Sequence, residues 1–137
     1  MRPAAQRTLF VYKTKSFGRF ARKARISDAD LWQTATLVNE GSIDADLGGG
    51  VIKQRMARAG EGKSGGSRSI ILFRFQGRAV FVHGFEKKDA GNIKANELEA
   101  FRELANVVLG YSDTEIAKRV ADGALIEISP PEEDKDG

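Results

Sequence analysis

At 137 residues, with 41% hydrophobic and 30% charged side chains, the chain has the length and composition of one globular domain able to bury a core. It contains no cysteine, which excludes a disulfide framework and a cysteine-ligated metal and fits a reducing cytoplasm. No apolar run approaches the roughly 20 residues that span a bilayer. The net charge of +3 hides an asymmetry: from Glu127 to the C-terminus the chain carries −4, so the residues before it carry +7. A basic body with an acidic tail suits a polyanionic partner, or serves solubility alone.

The opening, MRPAAQRTLFVYKTK, lacks the continuous apolar stretch of a signal peptide, so export is not expected and a cytoplasmic location is. Residues 8–12 (TLFVY) read as a first strand. Ser16 is placed to cap a helix beginning at Phe17, with Phe17, Phe20, Ala21 and Ala24 on one face and Arg19, Arg22, Lys23 and Arg25 on the other. Ser27 opens a second helix that has Asp28 and Asp30 in its first turn, a stripe of Leu31, Ala35 and Val38, and a stop at Gly41. Trp32, beside that stripe, is expected to pack. The two helices form an α-hairpin.

Gly48-Gly49-Gly50 leads into a strand over 51–56, and the glycine-rich 59–67 segment (AGEGKSGGS) is a loop, either a binding loop or a connector. Two runs rich in Ile, Val and Phe, 70–75 and 79–85, flank the polar turn Gln76-Gly77-Arg78 and predict a central β-hairpin. An amphipathic helix follows over 97–109, capped at Lys94 or Asn96, with Leu98, Phe101, Leu104, Ala105 and Val108 inward and Gly110 as its stop. Ser112-Asp113-Thr114-Glu115 is a capping box for a short helix to Ala121, and 124–128 is apolar enough to dock or to form an edge strand. The expected fold is α+β: a small antiparallel sheet of about four strands in β-α-α-β-β-β-α order, with helices mostly on one side. Residues 1–128 form the single domain, with 112–128 as a C-terminal helical appendage. Residues 129–137 are expected to form an acidic, disordered tail outside the domain.

Gly62-Lys63-Ser64 resembles the end of a phosphate-binding P-loop, but Ala57 stands where its first glycine belongs and a β run follows instead of a helix, so no nucleotide site is expected. His83 is the sole histidine, without clustered carboxylates, and reads as a half-buried structural strand residue rather than a metal ligand or a catalytic group. Alternation places Glu86 on the opposite face from it. The basic set carries more information. Lys53 and Arg55, two apart, share a strand face, Arg68 opens the hairpin, and Lys87 and Lys88 end it. With neighbouring strands in register these five surround one patch, suited to nucleic acid; a plainly solvated face is the other reading.

The element order resembles the RelE/HigB toxins of bacterial type II toxin–antitoxin systems. So do Lys63-Ser64-Gly65-Gly66-Ser67-Arg68 ahead of 70–75, Phe85-Glu86-Lys87-Lys88 ahead of Asn92, and the closing GALIEI. The resemblance covers about residues 8–128. It implies a ribosome-dependent endoribonuclease that cuts mRNA in the ribosomal A site, with 16S rRNA nearby, and that a cognate antitoxin neutralises. It implies neither cofactor, metal nor membrane. The implied reaction is attack of a ribose 2′-OH on the adjacent phosphate with departure of the 5′-oxygen. That chemistry needs a base, cations for the developing charge and a proton for the leaving oxygen.

By position the resemblance makes Lys53 the base or the group orienting the 2′-OH, with Arg55 as its basic partner. A lysine base requires a depressed pKa, which a cluster of cations is able in general to supply. Arg68 would hold the scissile phosphate bidentately, and Lys88 or Lys87 would stabilise the leaving group. Arg58, Lys63, Phe85, Lys87 and Lys94 would bind RNA. Where several members carry a base-stacking tyrosine after the last strand, this chain reads DAGNIKANE, leaving Phe85 to stack a base or to join the core. Two other readings remain open: a ParE-like gyrase poison without nuclease activity, and a nucleic-acid-binding module without chemistry.

Overall fold

The computed structural model describes residues 8–56, 66–87 and 93–131. β1 (Phe10–Thr14) runs directly into α1 (Lys15–Lys23), followed by α2 (Asp28–Asn39). β2 (Ala45–Gly48) and β3 (Val51–Arg55) make one hairpin, β4 (Ser67–Arg74) and β5 (Arg78–Glu86) a second. α3 (Ala95–Val108), α4 (Asp113–Ala121) and β6 (Leu125–Ile128) complete the order.

The expectation of about four antiparallel strands is corrected in three respects, within an α+β fold. The sheet has six strands in the order β2-β3-β4-β5-β1-β6. β1 lies parallel to β5, while every other pairing is antiparallel. Finally, helices cover both faces. Ile70, Ile71, Leu72, Val80 and Phe81 are all 0% exposed, and consecutive strand residues can all be buried only when the sheet is covered on both sides. Val11, Ile52, Ile71 and Phe81 pack with Phe17 of α1 and Leu31 of α2. Val51, Ile70, Leu72 and Val80 pack with Ala105 and Val108 of α3 and Ile116 of α4. The 124–128 segment takes the edge-strand alternative, β6 pairing with β1.

Local chemistry explains the boundaries. Thr14, not Ser16, caps α1, because its Oγ1 accepts the Phe17 N–H at 3.1 Å and the helix starts two residues earlier. Ser27 and Asp30 form a reciprocal capping box at α2, whose Leu31, Ala35 and Val38 are buried. The triple glycine is itself the β2–β3 turn: Gly48, Gly49 and Gly50 have φ of 87°, 65° and 86°, the left-handed region that glycine enters freely. Arg74 and Arg78 donate to the Leu109 and Val108 carbonyls and so satisfy the C-terminal end of α3. Burial, with Arg74 second, holds the Arg78 guanidinium below its ordinary pKa. Leu104, expected inward, is 40% exposed, because the buried stripe of α3 runs through Ala105 and Val108.

Ser112 and Glu115 close a second capping box at α4. The Ser112 N–H, 2.8 Å from Glu115 Oε1, holds that carboxyl below its usual range. A depressed folded-state pKa stabilises above the unfolded value, and the contribution fades as pH falls through the folded value. Glu115→Gln is therefore expected to lower the melting temperature at neutral pH and to converge on wild type only as pH falls below the ordinary carboxylate range, read by thermal melts across pH.

Candidate functional site

α3 covers only part of its sheet face. Its C-terminal half sits over Val51, Leu72 and Val80, toward the β4–β5 turn. Beyond it the same face continues toward the other end of the hairpin, and there the strand register gathers the basic residues. Lys53 pairs with Ile70 and Arg55 with Arg68 across β3 and β4. Arg68 pairs with Phe85, and Ile70 with His83, across β4 and β5. Side chains opposite one another share a face, so Lys53, Arg55, Arg68, His83 and Phe85 all project to the α3 side. The row Arg55–Arg68–Phe85 spans two strand spacings, about 10 Å.

Three of the predicted residues, Lys53, Arg55 and Arg68, line one shallow depression of about 320 Å³ together with Asp44 and Ala45. Asp44 has no counterpart in the sequence reading, since no periodic or motif signal marks it. Its Oδ2 accepts the Arg55 backbone N–H at 2.6 Å and lies 3.5 Å from the Arg55 Nε. Gln54, 5% exposed, clamps the same loop: its Oε1 accepts the Asp44 N–H and its Nε2 donates to the Ser42 carbonyl, both at 2.9 Å. Gln54→Ala removes both bonds and strands two backbone groups, at a cost of about 1–3 kcal/mol. The expected result is a lower melting temperature, because the 42–44 loop loses its anchor on β3 and Asp44 no longer fixes Arg55. Arg68, by contrast, makes one side-chain hydrogen bond among the described residues, Nη1 to the Ser67 carbonyl at 3.3 Å, and is half-buried with no carboxylate partner among them.

His83, read from the sequence as a structural strand residue, stands instead on the basic face. It is exposed, with its ring 5.9 Å from both Phe85 and Phe101. A β-bulge brings it there: Ile71 pairs with Phe81 but Ile70 with His83, so Val82 is an extra residue and the alternation shifts by one. Unbroken alternation from Phe81 sends His83 and Phe85 toward α1; the bulge sends both to the basic face. Glu86 falls on the opposite face, as expected, and accepts the Ser67 hydroxyl at 3.1 Å.

The remaining predicted residues are less gathered. Lys87 follows β5 and is exposed. Lys94 is the N-cap residue of α3, where its backbone N–H donates to Glu97. Arg58, Lys63 and Lys88 lie outside the described residues. A cavity of about 590 Å³ opens at the other end of the hairpin beside Tyr12, Arg78 and Ile116, and no candidate residue lines it. Among the described residues there is no group of three His, Asp or Glu side chains placed to hold a metal ion, and no helix is long and apolar enough to cross a membrane.

No curated protein matches the chain. The family model described as the RelE toxin of the RelE/RelB toxin–antitoxin system matches residues 9–128. That span runs from the residue before β1 to the last residue of β6 and so takes in the whole sheet. Membership implies an antitoxin partner. The chain belongs to the RelE toxin family of toxin–antitoxin systems.

Proposed function

We propose that this toxin is a ribosome-dependent endoribonuclease that cleaves mRNA in the A site, and that its cognate antitoxin neutralises it. The observation that carries the reading is the convergence of Lys53, Arg55 and Arg68 from two adjacent strands on one open depression. A phosphodiester seated there places a non-bridging oxygen pair against the Arg68 guanidinium fork, whose planar donors match phosphate. Lys53 orients or deprotonates the 2′-OH. The 2′-oxygen then bonds to phosphorus, the bond from phosphorus to the 5′-oxygen breaks, and a 2′,3′-cyclic phosphate and a 5′-hydroxyl result. The 5′-oxygen takes up a proton from Lys87, Lys88 or His83, an imidazole being able both to donate and to accept. Arg55, held by Asp44, adds positive charge at the rim. Phe85, with Phe101 behind His83, offers aromatic surface for a base.

The test is a reconstituted translation reaction in which mRNA ends are mapped by primer extension, with and without ribosomes. Discrete ribosome-dependent cuts ending in a cyclic phosphate are the expected result. Intact mRNA overturns the nuclease reading, and DNA breakage by gyrase is then the assay that distinguishes a same-fold gyrase poison.

A further inference from the structure

The cavity of about 590 Å³ at the far end of the β4–β5 hairpin is a second concave site, and the cleavage reaction does not use it. The strand register builds its floor. Arg74 pairs with Arg78 and Arg78 with Phe10 across β4, β5 and β1, while Val80 pairs with Tyr12 and Tyr12 with Glu127 across β5, β1 and β6. Tyr12 and Val80 pack with α3 and α4, and opposed residues share a face, so all of these side chains project to that side. α4 supplies one wall. Its Ile116 is buried in the same cluster as Tyr12, but Ala117 and Ala121, one turn apart, are exposed at the opening. Small side chains there leave the hollow unfilled and the Phe10 ring exposed.

Two guanidiniums line the same cavity. Arg74 and Arg78 stand directly opposite one another, and like charges at opposed strand positions repel. Each gives Nη1 to a carbonyl at the end of α3. Arg74 is exposed and lies over Gly77, whereas Arg78 is 6% exposed, and burial first and Arg74 second disfavour its charged form. The carboxylate paired with Arg78 among the described residues, that of Asp113, is fully exposed and 3.8 Å away, an arrangement that contributes little. The fold thus holds a partly desolvated pair of cations at the edge of an apolar hollow. An incoming carboxylate would relieve their repulsion by charge-assisted hydrogen bonds to the two forks.

We propose that this cavity is a docking site for an amphipathic segment of the antitoxin, whose acidic side chain reaches Arg74 and Arg78 while a neighbouring apolar side chain fills the hollow beside Phe10 and Val120. This rests on the part of the proposed function that gives the toxin a neutralising antitoxin, and not on the nuclease reading. The segment anchors the antitoxin on the face that carries Lys53 and Arg68 but at the opposite end of the hairpin, so it does not itself enter the catalytic depression. Charge and shape select this occupant. An apolar hollow with a few convergent polar groups suits a side chain anchored by one charge. A phosphate backbone would meet Asp113 and Glu127, which line the same cavity. Neither end of this sequence supplies both groups: residues 1–7 (MRPAAQR) hold no acid, and residues 129–137 (SPPEEDKDG) hold acids but no large apolar side chain.

The test titrates the full chain with its purified cognate antitoxin at several salt concentrations. Ala117→Phe puts a ring into the hollow from an exposed helix position, and Arg74→Glu reverses the accessible charge. Thermal melts first show the variants folded, and Ala117→Phe carries the test should Arg74→Glu fail to fold. Each variant is expected to bind the antitoxin roughly tenfold more weakly or worse, and Arg74→Glu also to flatten the salt dependence. Among overlapping peptides of the antitoxin, the one that binds wild type should carry an acidic residue beside an apolar one. Its lysine-substituted form should bind Arg74→Glu better than wild type. Unchanged antitoxin affinity in the variants overturns the proposal, as does a loss confined to a poly(U) oligonucleotide. Neither position lines the depression of Lys53 and Arg68, so both variants are expected to cut mRNA as wild type does and to resist neutralisation. A wild type that binds the antitoxin through this cavity but cuts nothing refutes the nuclease reading alone. Normal cutting with unchanged antitoxin affinity in the variants refutes the cavity alone.

Discussion

Arg68→Ala is expected to reduce ribosome-stimulated mRNA cleavage by roughly 10²–10³, the usual effect of removing one donor that stabilises charge in a transition state. Arg68 stands at the centre of the basic row, with Arg55 on one side and Phe85 on the other. It is half-buried, with the neighbouring Ser67 carbonyl as its one hydrogen-bond partner among the described residues, none of whose carboxylates pairs with the guanidinium. Arg68→Lys keeps the charge but loses the planar two-point fork, and is expected to recover only a minor part of the rate. Lys53→Ala belongs to the same class, at roughly 10²–10⁴ if the lysine moves a proton. Arg55→Ala is expected to do less, because Asp44 already engages that side chain. None of these exposed or half-exposed positions supports the core, so melting temperatures should stay near wild type while single-turnover cleavage is followed on programmed ribosomes. An Arg68→Ala protein that cuts at the wild-type rate removes this depression from consideration as the active site.

How far the sequence reveals this arrangement depends on whether the signal is local. The β4–β5 hairpin is legible because 70–75 and 79–85 are dense in β-branched and aromatic residues on either side of a polar turn. Coverage of both faces is legible in the same runs, since Ile70-Ile71-Leu72 has no polar alternation to turn toward water; reading helices on one side only overlooks that. β2 is not legible. Its four residues, ADLG, carry low strand propensity, and it exists through its pairing with β3 and the bond from Arg102 to the Leu47 carbonyl. The parallel placement of β1 beside β5 joins residues nearly seventy apart and leaves no local trace. At the site, Lys53 and Arg55 are readable as a same-face pair from their spacing alone. The side of the sheet that receives His83 and Phe85 is not, because one inserted residue, Val82, reverses the parity of everything after it. Asp44 emerges only once the 42–45 loop is folded back on β3 by Gln54.

Phe81→Ala is expected to have the largest effect on stability. Phe81 is 0% exposed in the middle of the sheet, opposite Ile71 on β4 and Lys13 on β1, with its ring 5.2 Å from that of Phe17. Truncation there removes the ring's burial and leaves a cavity that cannot close, because β4 and β1 are held by their ladders on either side. The expected cost is about 3–5 kcal/mol. Against a typical total of about 5–15 kcal/mol that is a large share, and a fall of more than about 10 °C in melting temperature follows. The loss should be directional. Phe81 faces α1, so amide hydrogen exchange in α1 should accelerate more than in α3. His83 and Phe85 face the other way, across the bulge, and Lys53 and Arg68 stand with them. Cleavage per folded molecule at low temperature should therefore stay within a few-fold of wild type. If Phe81→Ala instead loses cleavage while still folded, the two faces of the sheet are coupled, and α1 helps to shape the site.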